Sequence, residues 1–551
     1  MMIETTDNTA TVASTLVAPE KLGYSRLYLD FVAGKRPARD FYTAPSLGSA
    51  AAALDQAGHE RDKAIDVLLR QNRQYQASAL TLHNIESLRD RRAVCVFAGQ
   101  QAGLFGGPLF TIVKALAVAK VAGLYTEKLG RPVVPMFWMA GDDHDFEEAN
   151  HTYVLTRRGE LCKNAYQTAP AVELPTAEIK LDDRQELARV FEQLGECLGQ
   201  TEFTPALIDL LRQAYTPDDT LVTAFGKLMA SLTAELGVVF FSPGDPEAKR
   251  LAAPFFRAVI DRQDRVRDTV LAANRRLEES GYHLQVEKKD NAVHLLCNLD
   301  GRKPIMRNGH DFRIGDRSFT REQLLELLDE HPEKFSPDVL TRPVFQSRLF
   351  PVVCQMGGPA EIAYFAQMNG LFEVFDIPAP LYRARPTFTI IERRTEQQMS
   401  EMEISFEDLL GDVEQVVNRV LGRTFPADLE KDFESLRGAV EERITRFINE
   451  ALDFDPGLKN TAEQTRGKID FLLKGFESKV FAAHKKKSQQ TRERIYRIAN
   501  VLYPRRGLQE RSLNISYFLS RYGNGIIRYL YDRMNGEETA HQLISLSEYE
   551  A

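Results

Sequence analysis

The chain has 551 residues, of which 43% are hydrophobic and 27% charged, with a net charge of −8 and a pI near 5.8. That composition excludes a globally disordered chain and a basic protein built to coat nucleic acid, and the length exceeds one ordinary domain. The first thirty residues carry no basic segment followed by an apolar core, so no secretory leader is expected. Five cysteines, at 95, 162, 197, 297 and 354, are scattered without a CxxC or Cys/His cluster. Reduced thiols in a cytoplasm, with neither a disulfide framework nor a zinc site, are the expectation.

From about residue 20 to 395, short β-branched or aromatic runs alternate with helical patterns. Strands are predicted over 93–98 (AVCVFA), 133–140 (VVPMFWMA), 238–242 (VVFFS) and 349–356 (LFPVVCQM), each followed by Gly or Pro punctuation. Strands alternating with helices imply an α/β core with a mainly parallel sheet. The apolar stretch 93–125 is broken by a Gly-rich turn and by Lys114 and Lys120, so it reads as strand plus helix and not as a membrane span. Two stretches, 153–218 and 264–347, are too long for simple crossovers and read as insertions. The second should hold a small sheet with strands over 282–287 and 292–301.

The texture changes near residue 396. Ser405 with Asp408 forms a capping-box pattern. Apolar residues then recur at three- and four-residue steps through Leu409–Leu421, again from Leu429 to Ala451, and again from Ile469. This spacing predicts a helical coiled-coil domain over 396–502, with an imperfect heptad that leaves a compact bundle open. Residues 503–551 return to an aromatic, Arg- and Gly-rich texture and are expected to pack back on the core of 1–395.

Four segments could carry chemistry. The turn Gly99-Gln100-Gln101-Ala102-Gly103-Leu104-Phe105-Gly106-Gly107-Pro108 joins a strong strand to a strong helix. Glycines let backbone N–H groups approach a ligand, a helix start favours an anion, and Lys114 follows soon after. The turn matches neither a dinucleotide fingerprint nor a Walker loop, and tight strand–helix packing is the alternative reading. The second segment runs Gly141-Asp142-Asp143-His144-Asp145-Phe146-Glu147-Glu148-Ala149-Asn150-His151, just after a strand. A helix starting near Asp145 would put His144, Glu148 and His151 roughly on one face, able to accept a proton, bind an amine or hold Mg2+; an acidic helix start is the alternative. The third, Gly357-Gly358-Pro359-Ala360-Glu361, repeats the strand-to-helix grammar of the first. The fourth, Tyr503-Pro504-Arg505-Arg506-Gly507-Leu508-Gln509-Glu510-Arg511, offers arginines that could clamp phosphate.

These motifs, AGQQAGLFGGPLFTIVKA, PMFWMAGDDHDFEEANH, MGGPAEIAYFAQM and LYPRRGLQERSLN, in this order, resemble the bacillithiol-biosynthesis cysteine-adding family over nearly the whole chain. The resemblance implies a Rossmann-like, nucleotidyltransferase-type core with connecting-peptide insertions and a C-terminal α-helical coiled coil that makes a homodimer. It also implies a ligase that joins cysteine to the amino group of glucosaminyl-malate. Amide formation from a free carboxylate needs activation, so ATP or another nucleotide, with Mg2+ and with ADP as a bound product, is the expected cofactor; no zinc is expected. On this reading Asp143, His144 and Asp145 are catalytic. Gly99, Gln100, Gln101, Gly103, Lys114, Glu148, Asn150, His151, Gly357, Gly358 and Glu361 bind substrate or nucleotide. A different small-molecule amide ligase or nucleotidyl-transfer enzyme, or a non-catalytic nucleotide-responsive scaffold, is the competing reading. No protein metal site, nucleic acid or membrane partner is expected.

Overall fold

A computed structural model describes residues 15–43, 46–57, 61–170, 173–423 and 429–550, so the first fourteen residues of the expected core lie outside the described residues. The chain divides into two compact units, Met1–Arg393 with Pro504–Ala551, and Arg394–Tyr503.

The first unit is built on strands β1 (Val94–Gln100), β2 (Val133–Met139), β3 (Val239–Phe241), β4 (Val352–Gly357) and β5 (Leu381–Ala384). Helix α1 (Phe110–Leu129) connects β1 to β2, and α2 (Pro359–Met368) connects β4 to β5. All neighbouring strands are parallel, in the order β5-β4-β1-β2-β3. Cys95, Val96 and Phe97 of β1 are fully buried, as expected for a strand covered on both faces. α1 is apolar almost all round and buries Ile112, Val113, Leu116 and Ala117, the signature of an interior helix. Trp138 on β2 links the layers through ring contacts with Phe97, Phe241 and Phe345.

Three sequence expectations change. Leu349 ends the helix Arg342–Leu349, so the strand expected from 349 begins at Val352. Residues 282–287 form no strand, because the Gln367 side chain takes their ladder bonds: its Oε1 accepts from the N–H of Gln285 and Val286, and its Nε2 donates to Val286 O. The small sheet of the second insertion is instead five-stranded and antiparallel, with Ala292–Asn298 and Phe335–Pro337 side by side. In the first insertion, the hairpin His151–Leu155/Leu161–Ala165 is tied to helix Arg184–Leu198 by a Cys162–Cys197 disulfide, which overturns the expectation that all five thiols are reduced. Thirty-five residues separate the two cysteines in sequence, and only the fold brings them together. Cys95, Cys297 and Cys354 are free and buried; burial pushes the thiols of Cys297 and Cys354 up to about 12.

Residues after Pro504 supply the strand His541–Ser545, which pairs parallel with Thr387–Ile391 and antiparallel with Thr15–Val17. His541 is buried between the hydroxyls of Thr387 and Thr389, each 2.9 Å from a ring nitrogen. Burial pushes its pKa down from 6.5 to about 4. The unfolded chain therefore binds a proton in this window while the native one does not, so stability should fall as pH drops from 6.5 to 4. The loss should reach about 3 kcal/mol. Urea midpoints measured across that range check it: His541→Asn should flatten the slope, and an unchanged slope would assign the acid sensitivity elsewhere.

In the second unit, Ser405 and Asp408 exchange hydrogen bonds as the capping pattern predicts. Helices α3 (Leu429–Phe454) and α4 (Lys459–Leu502) are joined by a short turn in which Asp455 Oδ1 accepts the Gly457 N–H at 2.8 Å. Phe433 meets Phe476, Arg437 meets Asp470 and Glu441 meets Arg466, the pairing of an antiparallel hairpin. The third helix starts ten residues before the apolar seam at Ile469, because 459–468 are polar and mostly exposed.

Candidate active site

In the order β5-β4-β1-β2-β3, the chain moves outward in one direction from β1 and in the other from β4. Crossovers from these two neighbours leave the sheet on opposite sides and open a crevice beyond their carboxyl ends. The turn after β1 and the turn after β4 both lie there.

Most of the first turn is committed to its own packing. Tyr215 Oη hydrogen-bonds the Gly106 N–H at 3.3 Å and Gly103 O at 3.4 Å, the Gly107 N–H donates to Leu104 O, and Asn514 Nδ2 donates to Phe105 O and Gly107 O. A Cβ on Gly103 would stand 2.8 Å from Gly107 Cα, so this close approach requires glycine. Gln100 and Gln101 are the half-buried polar side chains of the turn, Gln101 reaching the acidic motif and Gln100 reaching Lys114.

Gln101 Nε2 donates to Asp143 Oδ2, joining the first turn to the acidic segment. Arg302, from the second insertion, lies 4.0 Å from the other oxygen of Asp143, and that oxygen accepts the His144 N–H at 2.8 Å. His144 Nδ1 is 3.7 Å from Asp143 Oδ1 and has no hydrogen-bond partner among the described residues. Asp142 is withdrawn from the group by buried Lys249, whose Nζ also holds Phe335 O. Asp145 Oδ1 accepts the Glu148 N–H and caps a helix of only four residues, Phe146–Ala149. His151 therefore begins a strand and not a helical turn, which overturns the one-face arrangement of His144, Glu148 and His151. Its Nδ1 sits 2.8 Å from Glu147 O and 3.2 Å from Asn150 Oδ1. Burial, then the charges of Asp145 and Asp143, raises the Glu148 pKa, while burial lowers that of His151. Among the described residues, no three His, Cys, Asp or Glu side chains converge as a metal site.

The third turn meets the first through Lys114. Its Nζ donates to Gly99 O and Gln100 Oε1, each at 2.9 Å, and to Glu361 Oε1. Those three bonds use all the donors of the ammonium group. Glu361 Oε2 accepts the Gly358 N–H, which closes the turn after β4. Burial alone would raise the Glu361 pKa, but Lys114, Arg385 and the Gly358 N–H together hold it below the usual carboxylate value. Arg385, just past β5, makes a two-pronged pair with Glu510 and is buried with it. In the fourth motif Arg505 stacks 5.0 Å above the Tyr153 ring, and Arg505 and Arg506 both hold positive φ.

Residues 13–386 match the model of the bacillithiol biosynthesis BshC N-terminal Rossmann-like domain, and 388–546 that of its C-terminal coiled-coil domain. A protein of Salinibacter ruber named "Putative cysteine ligase BshC" is 32% identical over 96% of this chain and 98% of its own length. Relatives with the same name from Koribacter versatilis and Bacillus cytotoxicus are 31% and 28% identical, covering 92% and 88% of this chain and 95% and 91% of their own lengths. The chain belongs to the bacillithiol biosynthesis BshC family. Membership of the BshC family places it in bacillithiol biosynthesis, as a ligase with a Rossmann-like domain and a coiled-coil domain. No helix of the described residues is long and apolar enough to cross a membrane.

Sequence reasoning reached the three turns of this BshC-family chain but missed Lys249, Arg302, Arg385 and the role of Glu510. Arg302 and Lys249 come from segments far from the acidic motif, and no local pattern marks them. Glu510 lies inside the fourth motif among its arginines, and it is the buried charge of that motif.

Proposed function

We propose that the chain joins cysteine to the amino group of glucosaminyl-malate, forming an amide, in the cytoplasm. The observation that carries this reading is the position of Asp143 and His144 just after β2, beside the β1 turn. They are tethered to the β1 turn through Gln101 in a chain whose relatives carry the cysteine-ligase name. An amine attacks an acyl carbon only in its neutral form, so its proton must go to a base within reach. His144, beside Asp143, would take that proton or orient the amine, and the resulting imidazolium would be stabilised by the adjacent carboxylate. Glu148, with its raised pKa, and the Asn150–His151 pair would hold the polar substrate.

ATP or another nucleotide, when bound with Mg2+, would supply the activation that a free carboxylate needs. At the Gly357–Gly358 entry to α2, Arg385 is the cation that would face an anionic group, beside a Gly358 N–H that already holds Glu361. On the helical hairpin, Leu436, Phe447, Phe471, Leu472 and Phe476 are exposed, and we propose that a second copy of the chain covers them. Light scattering of the full chain reads this directly, since a monomer mass ends the idea.

The reaction is tested by incubating purified protein with cysteine, glucosaminyl-malate and ATP·Mg2+, and by analysing the thiols of a deletion strain. Amide product in the first, and accumulated glucosaminyl-malate in the second, are expected. Unchanged low-molecular-weight thiols in the deletion strain would refute the assignment.

A further inference from the structure

Two cations seat the strand Phe335–Pro337 of the second insertion against the acidic segment. Lys249 Nζ holds Asp142 Oδ1 at 2.6 Å and Phe335 O at 2.8 Å. One terminal nitrogen of Arg302 lies 4.0 Å from Asp143 Oδ1. Its Nε donates to Ser336 Oγ at 3.1 Å, and its other terminal nitrogen to Pro337 O at 3.4 Å. The next residue in the chain is Asp338, and its Oδ2 stands 2.9 Å from His294 Nδ1. Arg302 therefore links two carboxylate–imidazole pairs, Asp143 with His144 and, one residue beyond Pro337, Asp338 with His294.

The second pair is the more firmly held. Asp338 Oδ1 accepts the N–H of Leu340 at 2.9 Å and of Thr341 at 3.0 Å, and Thr341 Oγ1 donates to His294 O at 2.7 Å. Burial alone would raise the Asp338 pKa, but His294, Lys288 and the Thr341 N–H hold it below the usual carboxylate value. An ionised Asp338 keeps the imidazole proton on Nδ1 and leaves Nε2 as the acceptor. His294 is 4% exposed, yet its Nε2 makes no hydrogen bond with any described residue and is not sealed from solvent. The backbone is shaped to the same end. His294 holds a φ of 62°, in the left-handed region, and the pairing of Ala292–Asn298 with Arg302–Asn308 slips between Ala292 and Leu296. Strain and bulges of this kind gather where a side chain is aimed at a ligand. A histidine that served packing alone would need neither.

We propose that His294 is a second proton acceptor of the joining reaction, an inference that rests on the ligase reading above. An amine that arrives as an ammonium loses two protons on its way to an amide nitrogen. His294 Nε2 takes the first as one N–H bond breaks, which frees the nitrogen lone pair to form the C–N bond to the activated acyl carbon. His144 takes the second, and the activating group leaves with the electron pair of the broken C–O bond. Asp338 then faces the imidazolium that the first transfer creates and stabilises it.

His294→Asn tests this. Asparagine tolerates the left-handed backbone, and its Nδ2 can donate to Asp338 in place of the imidazole Nδ1, so Nε2 alone is lost. The variant should fold and lower kcat for amide formation by about a hundredfold or more, with KM nearly unchanged. His294→Gly suits the same φ and leaves a gap the size of the ring. Added imidazole should restore part of its rate, and among imidazoles of similar size the more basic should restore more, a trend that a packing role would not produce. A folded His294→Asn protein of full activity overturns the proposal, and so does a rate loss in His294→Gly that no added imidazole restores. An unaltered chain that makes no amide refutes the ligase reading and this inference with it, whereas an active chain indifferent to His294 removes the inference alone.

Discussion

Glu361→Gln is expected to destabilise the protein by about 3–5 kcal/mol, the cost of leaving a buried charge without its counter-ion. The Lys114 side chain is 4% exposed and its ammonium would be left with neutral acceptors alone, Gly99 O, Gln100 Oε1 and the new amide oxygen. The Gly358 N–H at the entry to α2 would lose its charged acceptor as well. Lys114→Met should cost less, since Glu361 is 24% exposed and would keep the Gly358 N–H and the nearby Arg385 charge. Removing both charges together should cost clearly less than the two single changes added, because the pair is one interaction and neither variant then strands a partner. Urea midpoints of the four proteins decide this. Simple additivity would show that the two residues act apart.

The second large effect is on turnover. His144→Ala and Asp143→Asn should each lower the rate of the cysteine-joining reaction by about 10²- to 10⁴-fold, the usual contribution of a positioned proton acceptor. Both side chains are 37% exposed, so stability should stay within about 0.5 kcal/mol of the unaltered protein. Asp145→Asn is the informative control. Asp145 spends a carboxylate oxygen capping the Glu148 N–H, and an amide oxygen caps nearly as well, so that variant should keep most of its activity. A His144→Ala protein that is folded and fully active would remove His144 from the mechanism. A large loss in Asp145→Asn would instead give its charge a part in the chemistry.

Much of the fold was legible because its strands obey simple rules. β1, β2 and β3 are buried on both faces, so their apolar runs stand out against polar surroundings. β5 escaped notice because it is a short edge strand whose Arg383 breaks the apolar run to hydrogen-bond Tyr125 Oη and Gly536 O. The segment 282–287 alternates like a strand, yet one glutamine side chain from α2 satisfies its backbone. Periodicity reports which face is apolar and cannot report who takes the N–H groups. The site followed the same division. Glycine turns after strands announced where the crevice lies, while the ion pairs that shape it join residues 107 and 125 positions apart and leave no local trace. The first turn itself looked like an anion cradle, and its N–H groups at Gly106 and Gly107 prove to be occupied by Tyr215 and the turn's own carbonyls.

The crevice is finished by residues that the ribosome makes last. Glu510, which neutralises Arg385, and Asn514, which pins the first turn, follow the whole helical unit of residues 394–503 in the chain. At ordinary synthesis speeds that unit takes roughly ten seconds to emerge. During that interval the residues of all five strands of the central sheet have been made, but Arg385 lacks the Glu510 carboxylate and the glycine turn lacks its Asn514 clasp. A nascent chain in this state carries an arginine without its paired carboxylate and an unpaired strand edge at Thr387–Ile391. Premature termination inside the hairpin should therefore yield a polypeptide with every strand of the sheet and no stable crevice, one destined for proteolysis rather than for partial activity.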